Sequence, residues 1–183
     1  MRIVLVRHGE TEWSASGKHT STTDVPLTQR GREAAVGVRD RLAGREFALV
    51  LASPRQRAQD TARLAGFEPE TEDGLVEIAY GDYEGLTTKE IRVDRPGWTL
   101  WADGSPGGET LADAGARADR VLARAREAGG DVALFAHGHI LRVFGARWIG
   151  LPPGHGGSLK LDTAAICELG YERETPVLLR WNA

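Results

Sequence analysis

Met1-Arg-Ile-Val-Leu-Val-Arg-His-Gly-Glu-Thr11 decides how the rest of the chain is read. Ile3 to Val6 is an unbroken apolar run rich in β-branched residues. A strand without polar alternation is buried on both faces, as strands of a parallel sheet are. The run then ends abruptly in Arg7 and His8. Two later stretches have the same shape, Phe47-Ala-Leu-Val-Leu-Ala52 and Asp131-Val-Ala-Leu-Phe-Ala136. Each of the three leads through a polar segment into a helical pattern. The first helix is expected over Leu27 to Ala43, with Ala34, Ala35, Val38 and Leu42 on one face, the second over Gln56 to Ala65 and the third over Ile140 to Ile149. Alternating strand and helix predicts an α/β fold with a mostly parallel central sheet, one domain spanning residues 1–183.

The remaining elements are read from the same signals. Glu109 to Ala128 carries Leu111, Ala114, Ala118, Val121, Leu122 and Ala125 at helical spacing, and Gly129-Gly130 should end it. Ala164 to Leu169 and Val177 to Trp181 read as two tail strands, paired as a hairpin that turns within Gly170 to Pro176. Between Gly66 and Glu109 the pattern is irregular and rich in aromatics, acids and glycine. Long irregular segments within compact domains are commonly functional loops, so this one is expected over the active site. Trp98 and Trp101 within it read first as packing residues, with substrate contact as the alternative.

Composition narrows the function classes. The chain has 183 residues, 41% of them hydrophobic, with a net charge of -3. No basic excess points to a nucleic-acid partner, and no apolar stretch approaches the ~20 residues of a membrane helix. The N-terminal apolar run is too short for a signal peptide. Cys167 is the single cysteine, so no internal disulfide can form, and its strand-like surroundings favour a buried thiol. A cytoplasmic protein is expected, with no nucleic-acid or membrane partner.

In open α/β sheets ligands bind beyond the carboxyl ends of the strands. Three polar clusters fall at such ends: Arg7-His-Gly-Glu-Thr11, Ser53-Pro-Arg-Gln-Arg57 and His137-Gly-His139. The fold therefore brings histidines and arginines to one place. Guanidinium forks match phosphate oxygens and keep their charge at any working pH. Phosphoryl transfer is catalysed mostly by positioning and by stabilising charge, and a neutral, oriented imidazole can act as nucleophile. Gly9 and Gly138 are expected to let the backbone approach a ligand closely.

These clusters resemble the histidine phosphatase superfamily, which includes the cofactor-dependent phosphoglycerate mutases. Arg7-His8-Gly9-Glu10-Thr11 resembles its first motif, and Ser53-Pro54 with Arg57-Ala58 and Thr61 its second. Glu77 with Tyr80-Gly81 and Glu84-Gly85-Leu86 resembles the third, and Gly108-Glu109-Thr110 and Ala136-His137-Gly138 complete the set. The resemblance implies the mutase-like three-layer α/β/α arrangement. It implies that His8 takes the phosphoryl group as a phosphohistidine, that Arg7, Arg57 and His137 hold the phosphate oxygens, and that Glu77 protonates the leaving alkoxide and then deprotonates water. That last role requires a carboxyl protonated at rest, and Ile78 and Ala79 are expected to supply an apolar wall beside it. With the arginines supplying positive charge, neither metal nor cofactor is implied, and the partner is a small phosphorylated substrate. Ser14, Thr20, Ser21, Glu84 and Gly138 are candidate substrate contacts. Ser14 and Thr20-Ser21 depart from the commoner asparagine and Thr-Gly.

Trp13-Ser14, Gly17-Lys-His-Thr20, Tyr80-Gly-Asp-Tyr-Glu-Gly85 and Trp98 to Trp101 are similar to a sub-branch that includes fungal sedoheptulose-1,7-bisphosphatase and actinobacterial acid phosphatases. This favours a phosphatase over a phosphoglycerate mutase. Further alternatives are a metal-dependent hydrolase using His137, His139 and an acid, and a phosphate-binding module without catalysis. Glu84, Asp82 and Glu109 compete with Glu77 for the acid role. Arg55 is read as exposed or paired with a neighbouring acid.

Overall fold

The computed structural model describes residues 1–183. Six strands form one sheet: β1 (Ile3–Arg7), β2 (Leu49–Ala52), β3 (Glu70–Thr71), β4 (Val132–Ala136), β5 (Ile166–Glu172) and β6 (Thr175–Arg180), in the spatial order β3-β2-β4-β1-β5-β6. The β1–β4, β2–β4 and β2–β3 pairs are parallel, whereas β5 runs antiparallel to both β1 and β6. The helices are α1 (Glu12–Ser16), α2 (Gln29–Arg41), α3 (Gln56–Leu64), α4 (Thr88–Asp94), α5 (Leu100–Asp103), α6 (Leu111–Glu127) and α7 (Gly138–Trp148).

The unbroken apolar strands are buried on both faces, as their sequence requires. Ile3 and Leu5 join Val132, Leu134 and residues of α6 and α7 in one core. Val4 and Val6 turn the other way, joining Ala133 and Phe135 with Val38 and Leu42 near α2 and Ala62 of α3. The result is the expected three-layer arrangement. Helix boundaries follow local chemistry. The Thr28 hydroxyl accepts from Gly31 N at 3.0 Å and opens α2, Thr110 caps α6 in the same way, and Gly129, at φ 73°, follows its end.

Parallel pairing sets the site. Arg7 lies opposite Ala136, and Ala52 opposite Phe135. The carboxyl ends of β1, β2 and β4 therefore reach the same edge, with Arg7-His8, Ser53 and His137 just at or beyond it. The irregular stretch contains the short elements β3, α4 and α5, and its Glu77 and Tyr80 reach the cavity at this edge.

The tail hairpin turns within the expected stretch, at Arg173-Glu174, but both strands run further toward the turn: β5 continues to Glu172 and β6 begins at Thr175. Gly170 lies inside β5, where the Leu179 side chain across the hairpin fills the space a Cβ would take. Gly9 serves protein packing: a Cβ on it would overlap the Gly31 carbonyl, and one on Gly31 would overlap that of Glu10. The loop carrying His8 thus lies backbone to backbone on α2.

Gly31→Ala should lower the unfolding free energy by about 1–3 kcal/mol through overpacking. Gly37→Ala, in the same helix and with nothing within 4 Å of where its Cβ would lie, should raise it by roughly 0.5–1 kcal/mol. Urea denaturation of both variants checks this; equal effects would contradict the close backbone contact.

Candidate active site

His8 begins where β1 stops. Its backbone N donates to Ala136 O at 2.9 Å, fixing the loop across the β1–β4 seam. The ring Nδ1 lies 2.7 Å from Gly9 O. A carbonyl only accepts, so Nδ1 carries the proton and the Nε2 lone pair is free. Burial, then the charges of Arg7 and Arg57, hold the His8 pKa well below the ordinary imidazole range. His8 is therefore a neutral imidazole at neutral pH, with its nucleophilic nitrogen identified.

Arg7 stands beside it. Its Nη1 donates to Leu161 O at 2.6 Å, while its buried Nε has no partner. Gly138 makes room for this guanidinium: a Cβ there would sit 3.2 Å from Arg7 Cζ. Gly138 thus leaves room in the cavity wall for this arginine.

Arg57 and His137 are bonded to each other. Arg57 is 0% exposed, and its Nε donates to His137 Nδ1 at 3.2 Å. Its Nη1 donates to Thr23 O, and Nη2 to Thr20 O and Ser21 O. Because arginine only donates, His137 must carry its proton on Nε2, which donates to Ser53 Oγ at 2.8 Å. The pair expected on phosphate is bonded to itself and to the 20–23 loop, next to His8, whose ring centroid is 5.2 Å from that of His137. Arg55 is not as expected: it is half-buried, with a buried Nε that has no partner.

Glu77 lines the cavity without the expected apolar wall, since Ile78 packs into the core. Instead its Oε1 accepts from Ile78 N at 3.0 Å and Ile140 N at 2.8 Å, and Oε2 from His139 N at 3.0 Å. The carboxylate thereby satisfies two of the free N–H groups in the first turn of α7. The rival acids are occupied elsewhere. Glu109 forms a two-pronged ion pair with Arg117, at 2.7 and 2.8 Å. Glu84 accepts from the backbone and hydroxyl of Ser21 and from Thr23 N, and Asp82 is exposed.

The remaining candidates separate. Ser14, Thr20 and Gly138 line the cavity. The Ser14 hydroxyl is committed to the Thr11 backbone, as part of the capping box of α1. Ser21 and Glu84 do not line it; they tie the 21–23 loop to the irregular segment. Trp98 is buried against Tyr83 and His19, while Trp101 lies near His139. His139 Nδ1 lies 2.6 Å from Tyr80 Oη. His137 and His139 thus face different partners, and no cluster of three or more His, Cys, Asp or Glu side chains is placed to hold a metal ion. Cys167 is buried, with its thiol pKa pushed up to about 11 by burial. The cavity measures about 130 Å³, and its wall includes Lys18, His19 and Arg142 beside the expected residues. Arg142 was hidden in the sequence by its apolar helix, although it follows Gly138 by one helical turn.

A neutral histidine beside an arginine whose Nε has no partner, at the carboxyl edge of parallel strands, defines a phosphoryl-handling α/β protein. Residues 3–183 match the sequence profile of the Histidine phosphatase superfamily (branch 1), and the chain belongs to that family. It is 43% identical over 176 residues to an acid phosphatase of Mycobacterium tuberculosis, covering 93% of this chain and 87% of the relative. It is 36% identical to the sedoheptulose 1,7-bisphosphatase of Saccharomyces cerevisiae, covering 82% of this chain and 68% of that one. Among solved structures, a mycobacterial glucosyl-3-phosphoglycerate phosphatase in complex with VO3 superposes with a TM-score of 0.90 at 29% identity, over 100% of this chain and 98% of that one. No helix is long and apolar enough to cross a membrane.

The histidines make stability depend on pH. His8 and His137 are buried and held neutral in the folded protein. In the unfolded chain each takes a proton as pH falls through about 6.5. The unfolded state then binds more protons, so stability should fall on acidification by on the order of 1 kcal/mol per pH unit for each imidazole. Urea midpoints between about pH 7.5 and pH 5.5 should show this, with the slope reduced in His8→Gln; an unchanged slope would refute it.

Proposed function

We propose that the protein is a phosphomonoesterase that hydrolyses small phosphorylated metabolites through a phosphohistidine on His8. The observation that carries this reading is the His8 tautomer, which leaves Nε2 unprotonated beside the unpartnered Nε of Arg7. In the first step the Nε2 lone pair forms the N–P bond while the bond from phosphorus to the ester oxygen breaks. Glu77, protonated in the form of the enzyme that reacts, gives that proton to the departing alkoxide. Oε2 is the oxygen for this, having one main-chain bond where Oε1 has two. In the second step water attacks phosphorus, its proton passes to Glu77 and the N–P bond breaks. Orthophosphate leaves, and both groups regain their starting states. Arg7 holds the phosphoryl oxygens from the outset. Arg57 and His137 reach them by exchanging bonds to Ser53 and the 20–23 carbonyls for bonds to phosphate. The reaction so written draws its positive charge from arginine and needs no metal or cofactor.

Several observations favour hydrolysis over mutase activity. The 87–98 segment, with its three basic residues, forms only the short α4. Arg92 donates to Trp98 O, Arg95 pairs with Tyr83 and Asp103, and none of Lys89, Arg92 or Arg95 lines the cavity. The named relatives at 36–43% identity are phosphatases. The absence of any possible internal disulfide accords with a cytoplasmic protein.

His8→Ala should abolish turnover and also the acid-labile, base-stable label left when enzyme and radiolabelled substrate are mixed briefly and quenched in alkali. Full turnover by this variant would overturn the mechanism.

Glu77→Gln should slow alkyl phosphates by roughly 10²–10⁴-fold, the usual range for general acid catalysis. Aryl phosphates leave as stabilised phenolates and should lose far less. Equal losses measured on the two classes would place the acid elsewhere.

A further inference from the structure

The acid step places a demand on Glu77 that its surroundings oppose. The carboxyl has to hold a proton until substrate arrives. Yet the main-chain N–H groups of Ile78, His139 and Ile140 donate to it, and Arg7, Arg57 and Arg142 act on it as positive charges. Every further donor would favour the charged carboxylate more strongly. One such donor stands beside it. The Tyr80 hydroxyl is within reach of the Glu77 carboxylate, and burial, then the charge of Glu77, keeps it protonated, with Arg7 opposing and Glu84 assisting.

That hydroxyl has one proton, and a second acceptor competes for it. His139 Nδ1 lies 2.6 Å from Tyr80 Oη and 3.8 Å from Glu77 Oε2. Burial, then the charges of Arg142, His19 and Arg7, hold the His139 ring neutral. The phenol is the more acidic of the two partners and the imidazole nitrogen the more basic. The Tyr80 O–H therefore donates to Nδ1, and Nε2 carries the ring proton. Packing fixes the ring in this attitude, with the centroids of Trp101, Tyr80 and His19 at 5.3, 5.7 and 6.0 Å.

We propose that His139 is a positioning residue for the acid: by accepting the only proton of the Tyr80 hydroxyl, its Nδ1 denies that proton to Glu77, so that the carboxyl keeps its own until the leaving group takes it. This rests on the phosphatase reading and deepens the role of Glu77 within it. When Glu77 has given its proton to the alkoxide, the Tyr80 O–H turns to the new carboxylate, and it turns back to Nδ1 when water returns a proton to Glu77. Tyr80 and His139 neither gain nor lose a proton over the cycle.

The test is the pH profile of kcat/KM, whose alkaline limb reports the acid of the free enzyme. Glycerol 2-phosphate, with an alkoxide leaving group, depends on that acid; p-nitrophenyl phosphate, which depends on it far less, is the control. Ionisation of the substrate itself is common to every variant. His139→Leu removes the acceptor and leaves the main-chain bond to Glu77 in place, and the side chain is 25% exposed, so the variant should fold. Tyr80 then donates to Glu77 and the carboxylate gains. The limb for glycerol 2-phosphate should move to lower pH by about one unit, the size of one hydrogen bond to a charged group. His139→Asn offers an amide oxygen near the place of Nδ1 and should keep the limb close to that of wild type. In a Tyr80→Phe background, His139→Leu should move the limb no further. An unmoved limb in His139→Leu, an equal shift in His139→Asn, or the same shift with and without the Tyr80 hydroxyl would overturn the proposal and leave the phosphatase reading standing. Hydrolysis of neither ester by the wild-type protein would overturn both.

Discussion

Everything at the sheet edge is arranged around a buried cation. Arg57 is fully buried, and its nearest carboxylate, Asp24, is 3.8 Å away and half exposed. Taking a guanidinium out of water costs several kcal/mol unless its donors are satisfied. Carbonyls of Thr20, Ser21 and Thr23 and the ring of His137 satisfy them. That requirement shapes the neighbourhood. The 20–23 loop must turn its carbonyls inward, so its N–H groups at Ser21 and Thr23 turn to Glu84. His137 must leave Nδ1 bare, so it donates through Nε2 to Ser53. The charge in turn helps keep both histidines neutral. One buried arginine links three motifs that are far apart in the chain.

A second organising contact lies across the cavity. Glu77 joins an otherwise irregular segment to the first turn of α7 by accepting from His139 and Ile140. Free N–H groups at a helix start attract negative charge. The same bonds that fix the carboxylate therefore also anchor the segment that carries it.

Much of this was legible in the sequence, because strands buried on both faces leave an unbroken apolar signature. The runs ending at Val6, Ala52 and Ala136 give β1, β2 and β4, and the polar residues that follow them mark the edge where the site forms. The tail was less legible. Gly170 has the composition of a turn, yet it is a strand residue making room for Leu179, a contact decided across the hairpin. The pairing of Arg57 with His137 could not be read, since it joins residues eighty positions apart through a tautomer that only the assembled site selects. Arg142 was missed because it interrupts an apolar helical pattern whose other members point into the core. The spacing from Gly138 was the available signal, for residues one turn apart share a helix face.

The contact between Gly9 and Gly31 limits how this scaffold can change. Two backbones meet there with no side chain between them, so how closely the His8 loop can approach α2 is limited by main-chain contact. No substitution at either position can adjust it gradually, because the smallest available step, a methyl group, already collides. The rim is built differently: Ser14, Lys18 and Thr20 reach the opening through side chains, whose size and charge can change in small steps. A scaffold built this way diversifies by exchanging what surrounds the phosphoryl group while the His8 loop stays against α2.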